Sequence, residues 1–397
     1  MFKGVNMKNL YSRGWWRLVV VLATFVSGFN GSTDCLLAQE GSLAELQQRW
    51  REIQQQFAEK SAALNNPATA SDSLKAELEG LVNEGNELVT ALQAKGLAQL
   101  GNSPDDPEAT RLIMGILLHQ ASQGKDRQVL QVGDQLIGLG IRPVYFETAA
   151  KSDRLNISGR EIFEELLARQ REAERNDLPR VELETTKGKI VLELYEDQAP
   201  NTVANFITLV DSGRFSEILF HRVIDGFMAQ AGERKMDDSP AEELSYTIAC
   251  ECLSPETRRH FPFSISMAHA GLNTGGGQFF LTFSRTSHLD GRHTCFGRII
   301  EGFEVLDSLT RTHSGGDLPI PNVSPDGIRS ATVIRKRDHD YQVRKFGQPD
   351  PKDQDKLDAP PVIPAIEASG SSEGKLQDLP KSESGRDEGV EKTDGHM

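Results

Sequence analysis

The stretch VELETTKGKIVLEL, residues 181–194, decides how the second half of the chain is read. Val181, Leu183 and Thr185 alternate with Glu182 and Glu184; Thr186-Lys187-Gly188-Lys189 breaks the run; Ile190, Leu192 and Leu194 resume it. Side chains on a strand point alternately to the two faces, so two such runs around a short glycine-bearing turn predict a β-hairpin. Pro200 then opens a stretch in which Val203, Phe206, Ile207 and Val210 fall at helical spacing, closed by Gly213. Short apolar runs follow: LFHRVI (219–224), GFMAQAGE (226–233), FSISMAHA (263–270), QFFLTFS (278–284) and TCFGRII (294–300). Val305, Leu306 and Leu309 predict a second short helix, and a last strand covers 330–336. Many short strands separated by turn residues, with only two helices, predict a mainly β domain built as a closed antiparallel barrel.

Upstream of the hairpin, residues 39–178 read as an α-helical region. Leu43, Leu46, Trp50, Ile53 and Phe57 recur at spacings of three and four, the stripe of an amphipathic helix. Asp72-Ser73-Leu74 opens a second helix running towards Gly96, with Leu74, Leu78, Leu81, Leu88 and Leu92 as its stripe. Further helical stretches fall at 107–123, 126–139 and 160–176, punctuated by Pro104, Pro107, Gly140 and Pro143. No repeat of tetratricopeptide length recurs cleanly. The region carries no catalytic constellation, and His119, alone on an apolar helix, reads as a packing residue. Its expected role is a scaffold or a surface for a protein partner.

The two ends read differently. Lys3, Lys8, Arg13 and Arg17 form a basic front around the apolar core Leu18–Phe29, and a polar stretch runs to Ala38. That order predicts a signal peptide over 1–38, an exported chain working in the periplasm or as a secreted protein, and no membrane span once the signal is cleaved. From Tyr341 the composition turns to Pro, Asp, Glu, Lys, Ser and Gly, too poor in apolar residues to offset chain entropy, which predicts a disordered tail over 341–397. A net charge of −14 over 397 residues excludes the basic footprint of a nucleic-acid binder. Four cysteines in such a chain exclude a disulfide-built scaffold.

Four blocks of the β-rich region together resemble the cyclophilin family of peptidyl-prolyl cis–trans isomerases: APNTVANF (199–206), FHRVIDGFMAQ (220–230), SMAHAGLNTGGGQFFLT (266–282) and HLDGRHTCFGRI (288–299). Their order and spacing agree with the family over about 181–337. The resemblance implies a domain over 179–340 folded as an eight-stranded antiparallel β-barrel with two capping helices. It implies isomerisation of X–Pro bonds in proline-containing polypeptides, here of exported proteins whose folding it would assist. The alternative is a catalytically weak barrel that binds such peptides or serves as a scaffold.

Rotation about an X–Pro bond must break amide resonance, against a barrier of about 18–20 kcal/mol. No bond is exchanged, so the chemistry requires neither a nucleophile nor a metal, and no cofactor is expected. It requires an apolar hollow for the ring, a grip on the flanking backbone and a donor for the twisted amide, whose nitrogen regains its lone pair. The resemblance assigns the donor to Arg222 and the catalytic surroundings to Phe227, Gln230 and His293. Met228, Phe280 and Leu289 would complete the hollow, and Ala268, His269 and Gln278 would hold the substrate. Period two places Met228 with Gln230 on one strand face and Gln278 with Phe280 on another, turning Phe279 into the core. The GGG run at 275–277 lacks the Lys-Ser/Thr of a phosphate loop and reads as close backbone packing before a strand. His269, His288 and His293 fit no zinc spacing, so no metal is expected.

The chain departs from the family at three places. His288 stands where animal members carry a rim tryptophan, which predicts weak binding of cyclosporin-type inhibitors. The segment AGERKMDDSPAEEL (231–244) replaces a glycine-rich loop beside the pocket, and His269 replaces an asparagine. Cys250, Cys252 and Cys295 are read as buried thiols, with a bridge from Cys250 or Cys252 to Cys295 as the alternative.

Overall fold

Capping and apolar spacing explain where the first helices begin and which faces they bury. The computed structural model describes residues 41–66, 69–315 and 317–348; the expected signal peptide and residues 349–397 of the expected tail lie outside them. Helix α1 (Leu43–Leu64) starts at a capping box, in which Ser42 accepts from the Glu45 amide and the Glu45 carboxylate accepts from the Ser42 amide. Its stripe buries Leu46, Ile53 and Phe57 against α2 (Asp72–Asn102), whose N-cap is Ser71. Helix α2 runs past Gly96 instead of ending there. A Cβ at Gly96 would lie 2.8 Å from Ile113 Cδ1, so this glycine lets α2 approach α3 (Pro107–Ser122) closely. Helices α4 (Asp126–Gly138) and α6 (Ile157–Arg175) lie near their expected positions. The additional helix α5 (Pro143–Ala150) begins at a residue read as punctuation, because proline suits the first helical position, whose N–H has no partner anyway.

The hairpin closes as read. Strands β1 (Arg180–Thr185) and β2 (Gly188–Leu194) pair antiparallel, Val181 opposite Leu192 and Leu183 opposite Ile190, and all four side chains lie in the core. Helix α7 (Pro200–Asp211) packs Val203, Phe206, Ile207 and Val210 onto that core. The remaining strands are β3 (Ile218–Leu219), β4 (Arg222–Ile224), β5 (Met228–Ala231), β6 (Ser264–Met267), β7 (Phe279–Thr282), β8 (Cys295–Glu301) and β9 (Gly327–Arg335), with the short α8 (Phe303–Ser308) before the last. They form one curled antiparallel sheet in the order β3-β9-β1-β2-β8-β6-β7-β5-β4. Its two end strands, β3 and β4, are successive in the chain. The count is nine where eight strands were expected, because the LFHRVI run breaks at Phe220-His221 into two short strands with different partners.

The helices and the sheet belong to one compact unit. Phe261, just before β6, inserts into the helical core. Beside it, Arg258 takes both carboxylate oxygens of Glu165 on α6, at 2.7 and 3.1 Å, and also pairs with Glu172. Its guanidinium lies 3.9 Å above the Tyr195 ring. Arg169 reaches Glu165 at 2.9 Å and Asp134 at 2.7 Å, and Arg298 reaches Glu193 at 2.9 Å. Burial alone would raise Glu165, but its two arginines outweigh that and hold it ionised. Glu193 on β2 is buried among Arg180, Arg298 and Arg335, and Arg298 also approaches Glu172 of α6 at 3.6 Å.

Residues 341–348, expected to begin the tail, are packed instead. Tyr341 donates to Glu196 at 2.9 Å, Asn201 exchanges two hydrogen bonds with the Arg344 backbone, and the Phe346 amide donates to the Thr247 carbonyl. Tyr341 and Val343 supply just enough apolar surface to hold the strap against the sheet.

Candidate functional site

The strand register assembles one row of side chains. In β4, Arg222 lies opposite Gln230 of β5; Gln230 lies opposite Phe280 of β7; Phe280 lies opposite Ser266 of β6. Directly opposite residues share a face, so all four point away from the interior, while Val223, Ala229, Leu281 and Ile265 of the alternate row enter the core. The β4–β5 turn carries Asp225-Gly226, and Gly226 takes the left-handed conformation (φ 66°) that places Phe227 at the mouth of the row.

Outside that face is a cleft of about 740 Å³. Arg222, Phe227, Met228, Gln230, Ala268, His269, Gln278, Phe280, Leu289 and His293, all ten of the residues singled out from the sequence, line it. Ile224, Met228, Ala268 and Phe280 form an apolar cluster on which Phe227 and Leu289 pack. The Phe280 and His293 rings meet edge to face at 5.6 Å. Around them the polar groups are tied to one another. Arg222 Nη1 donates to Gln230 Oε1 at 3.3 Å, and Gln230 Nε2 donates to Gln278 Oε1 at 2.8 Å. His293 Nδ1 lies 3.0 Å from the Met267 carbonyl, which fixes Nδ1 as the protonated nitrogen, and burial lowers its affinity for a second proton. The imidazole is therefore neutral near pH 7 and stacks on the His269 ring at 4.0 Å.

Under the cleft, His260 bridges Asp290 (2.9 Å) and Ser266 Oγ (2.8 Å). The order Ser-His-Asp suggests acyl transfer, but Ser266 is fully buried and donates its hydroxyl to the Thr294 carbonyl at 2.9 Å. The trio therefore braces the floor, with its proton already engaged.

The glycine run acts by proximity: a Cβ at Gly275 would lie 2.9 Å from Met267 Cγ. The altered segment after Gln230 forms the far wall with Glu242, Leu244, Tyr246 and Thr247, backed by the 341–348 strap. Cys250 and Cys252 bond to each other, and Cys295 stays a buried thiol pushed up to about 12 by burial. The buried-thiol reading therefore holds for Cys295 alone and is wrong for Cys250 and Cys252, and the alternative bridge to Cys295 is not formed either; Cys250 and Cys252, two positions apart, lie 5.4 Å apart at Cα. Sequence reasoning missed Asp317, whose carboxylate lies 2.6 Å from Arg222 Nε. Ninety-five positions separate the two, and no local pattern connects them. Among the described residues no cluster of three or more His, Cys, Asp or Glu side chains suits a metal ion.

Comparison with known proteins agrees on one family. Residues 180–333 match the model of the cyclophilin type peptidyl-prolyl cis-trans isomerases. A peptidyl-prolyl cis-trans isomerase of Helicobacter pylori is 46% identical over 129 residues, covering 32% of this chain and 77% of its own. A peptidyl-prolyl cis-trans isomerase-like 2 of Cryptococcus neoformans is 36% identical over 200 residues, 49% of this chain but only 34% of that longer protein. A solved cyclophilin type peptidyl-prolyl cis-trans isomerase from Cryptosporidium parvum is 27% identical, covering 40% of this chain and 99% of its own at a TM-score of 0.34.

Proposed function

Because the chain belongs to the cyclophilin-type peptidyl-prolyl cis–trans isomerase family, we infer that it catalyses rotation about X–Pro bonds in the cleft beside Arg222. The observation that carries this reading is the row Arg222–Gln230–Phe280, which sets a permanently charged donor beside an apolar hollow. The proline ring occupies the hollow formed by Phe227, Met228, Phe280 and Leu289, with His293 at its edge. Gln230, itself held by Gln278, and the backbone at Ala268 and His269 grip the flanking peptide. As the bond twists, the prolyl nitrogen becomes pyramidal and accepts a hydrogen bond from Arg222. That bond exists only at the twisted geometry, so it lowers the barrier without tightening ground-state binding. Acceleration from about 10⁻² to about 10³ s⁻¹ requires roughly 7 kcal/mol, shared between this bond and the desolvated hollow.

The curled sheet, with α7 and α8 packed on its core, supplies the rigidity the site requires. The clients are flexible chains of exported proteins, whose folding the enzyme assists. The basic front and apolar core before Ala38 support export, and the Cys250–Cys252 bond suits an oxidising compartment.

The test is NMR exchange of a short X–Pro peptide with the full chain and its Arg222→Ala variant. Fast exchange in the first and its collapse in the second is the expected result. Slow exchange in both, with the peptide still bound, refutes the enzyme and leaves a peptide-binding barrel.

A further inference from the structure

Arg222 does not stand alone. Its Nε meets Asp317 Oδ1 at 2.6 Å, its Nη1 reaches Gln230 Oε1 at 3.3 Å, and Nη2 has no hydrogen-bond partner among the described residues. Asp317 sits at the tip of a narrow loop that is itself anchored. The Thr312 and His313 amides both donate to the Val223 carbonyl at 3.0 Å, and the Val223 amide donates to Thr312 Oγ1 at 2.8 Å. The Ser314 amide donates to the Leu318 carbonyl and the Asp317 amide to the Ser314 carbonyl, so the tip is tied back on itself. Asp317 holds a left-handed backbone conformation there (φ 67°), uncommon for a residue with a side chain. The loop is thus anchored by hydrogen bonds on the strand that carries Arg222 and returns a carboxylate to that arginine.

We propose that Asp317 is a positioning residue for prolyl isomerisation: it occupies Arg222 Nε and so presents the Nη groups to the substrate. A long arginine side chain otherwise samples many rotamers, and only a narrow set places an N–H on the prolyl nitrogen. Gln230 alone restrains one nitrogen of the fork; Asp317 restrains a second, and two points fix a plane. The carboxylate is held below its usual range by Arg222, so it is ionised wherever the protein is folded near neutrality. The pair is not a device for stability, because the Asp317 side chain is 54% exposed and ion pairs so exposed contribute little. This inference rests on Arg222 being the donor, so the experiment separates the two statements.

The full chain is compared with Asp317→Asn, Asp317→Glu, Arg222→Ala and the double variant Arg222→Ala/Asp317→Asn, by NMR exchange of an X–Pro tetrapeptide titrated to saturation. Asp317→Asn is expected to lower kcat about tenfold while changing affinity less than about twofold. Asp317→Glu recovers part of the loss, and Asp317→Asn costs nothing further once Arg222 is absent. The Arg222 Nε–H resonance reports the pair without reference to activity: slow to exchange with solvent in the wild type, fast in Asp317→Asn. An Asp317→Asn variant as active as wild type, alongside an inactive Arg222→Ala, overturns the positioning role and leaves the donor in place. A loss confined to affinity, or an equal loss in the Arg222→Ala background, overturns it too. An Arg222→Ala variant with full activity removes the donor and the positioning role together.

Discussion

Arg258 joins the helices to the sheet, and its removal has a calculable cost. Its guanidinium closes two ion pairs, with Glu165 and Glu172, among side chains only 5–8% exposed. Unit charges about 4 Å apart interact by about 4 kcal/mol at an effective dielectric of about 20, so two pairs contribute about 8 kcal/mol gross. Against this stands the desolvation of the arginine, several kcal/mol, which the truncation removes. Loss of the contact over the Tyr195 ring adds about 1 kcal/mol. After Arg258→Ala, Glu165 retains Arg169 at 2.9 Å, but Glu172 keeps only the approach of Arg298 at 3.6 Å. The net expectation is a loss of about 3–5 kcal/mol, the usual consequence of leaving a buried charge half-paired. Urea unfolding checks it with two probes: helical circular dichroism for α1–α6 and thiol labelling of the buried Cys295 for the sheet. The wild type should lose both signals together, and Arg258→Ala should move both to lower urea. Arg258→Lys should recover less than half, because an ammonium cannot take both Glu165 oxygens in one plane. An Arg258→Ala midpoint within about 1 kcal/mol of wild type would refute the reasoning, and separate wild-type transitions would show that the seam does not couple the two parts.

What the sequence made legible follows from the range of each interaction. The alternation around 181–194 revealed the hairpin because strand faces repeat every two residues, and Val181 and Leu183 entered the core as that period requires. The ten cleft residues were legible because three short strands and two loops each carry a recognisable block, and the register then brings the blocks together. The pairs that cross the fold were not legible. Arg258 lies 93 positions from Glu165, and Asp317 lies 95 from Arg222. A charged residue in an irregular segment looks the same whether it will face water or a buried partner. Gly96 misled for a related reason: in sequence a glycine within a helical run signals an end, whereas here Ile113 of a neighbouring helix requires the missing side chain. The 341–348 strap was missed because two apolar residues suffice when the surface to cover already exists.

Two further predictions concern stability. Helix α7 has Ala199 at its N-cap, which offers no side-chain acceptor. Glu251 supplies one from outside, accepting from the amides of Asn201 (3.0 Å) and Thr202 (2.8 Å). Glu251→Ala should therefore cost about 1–2 kcal/mol in urea unfolding, and an unchanged midpoint would show that water caps the helix equally well. Asp126 makes stability depend on pH. It is 7% exposed, its Oδ1 has no partner among the described residues, and burial pushes its pKa up to about 6. In the unfolded chain it titrates near about 3.9. Between those values the folded state binds the proton more tightly, so stability falls as pH rises through this window and stays lower above it. Two units amount to about 2.7 kcal/mol, which partial access to water and the nearby Arg285 reduce to about 1–2 kcal/mol. Asp126→Asn should thus stabilise the protein by that amount at about pH 8 and by nothing at about pH 4. An equal gain at both pH values would mean that the asparagine acts through packing, and that Asp126 carries no buried charge.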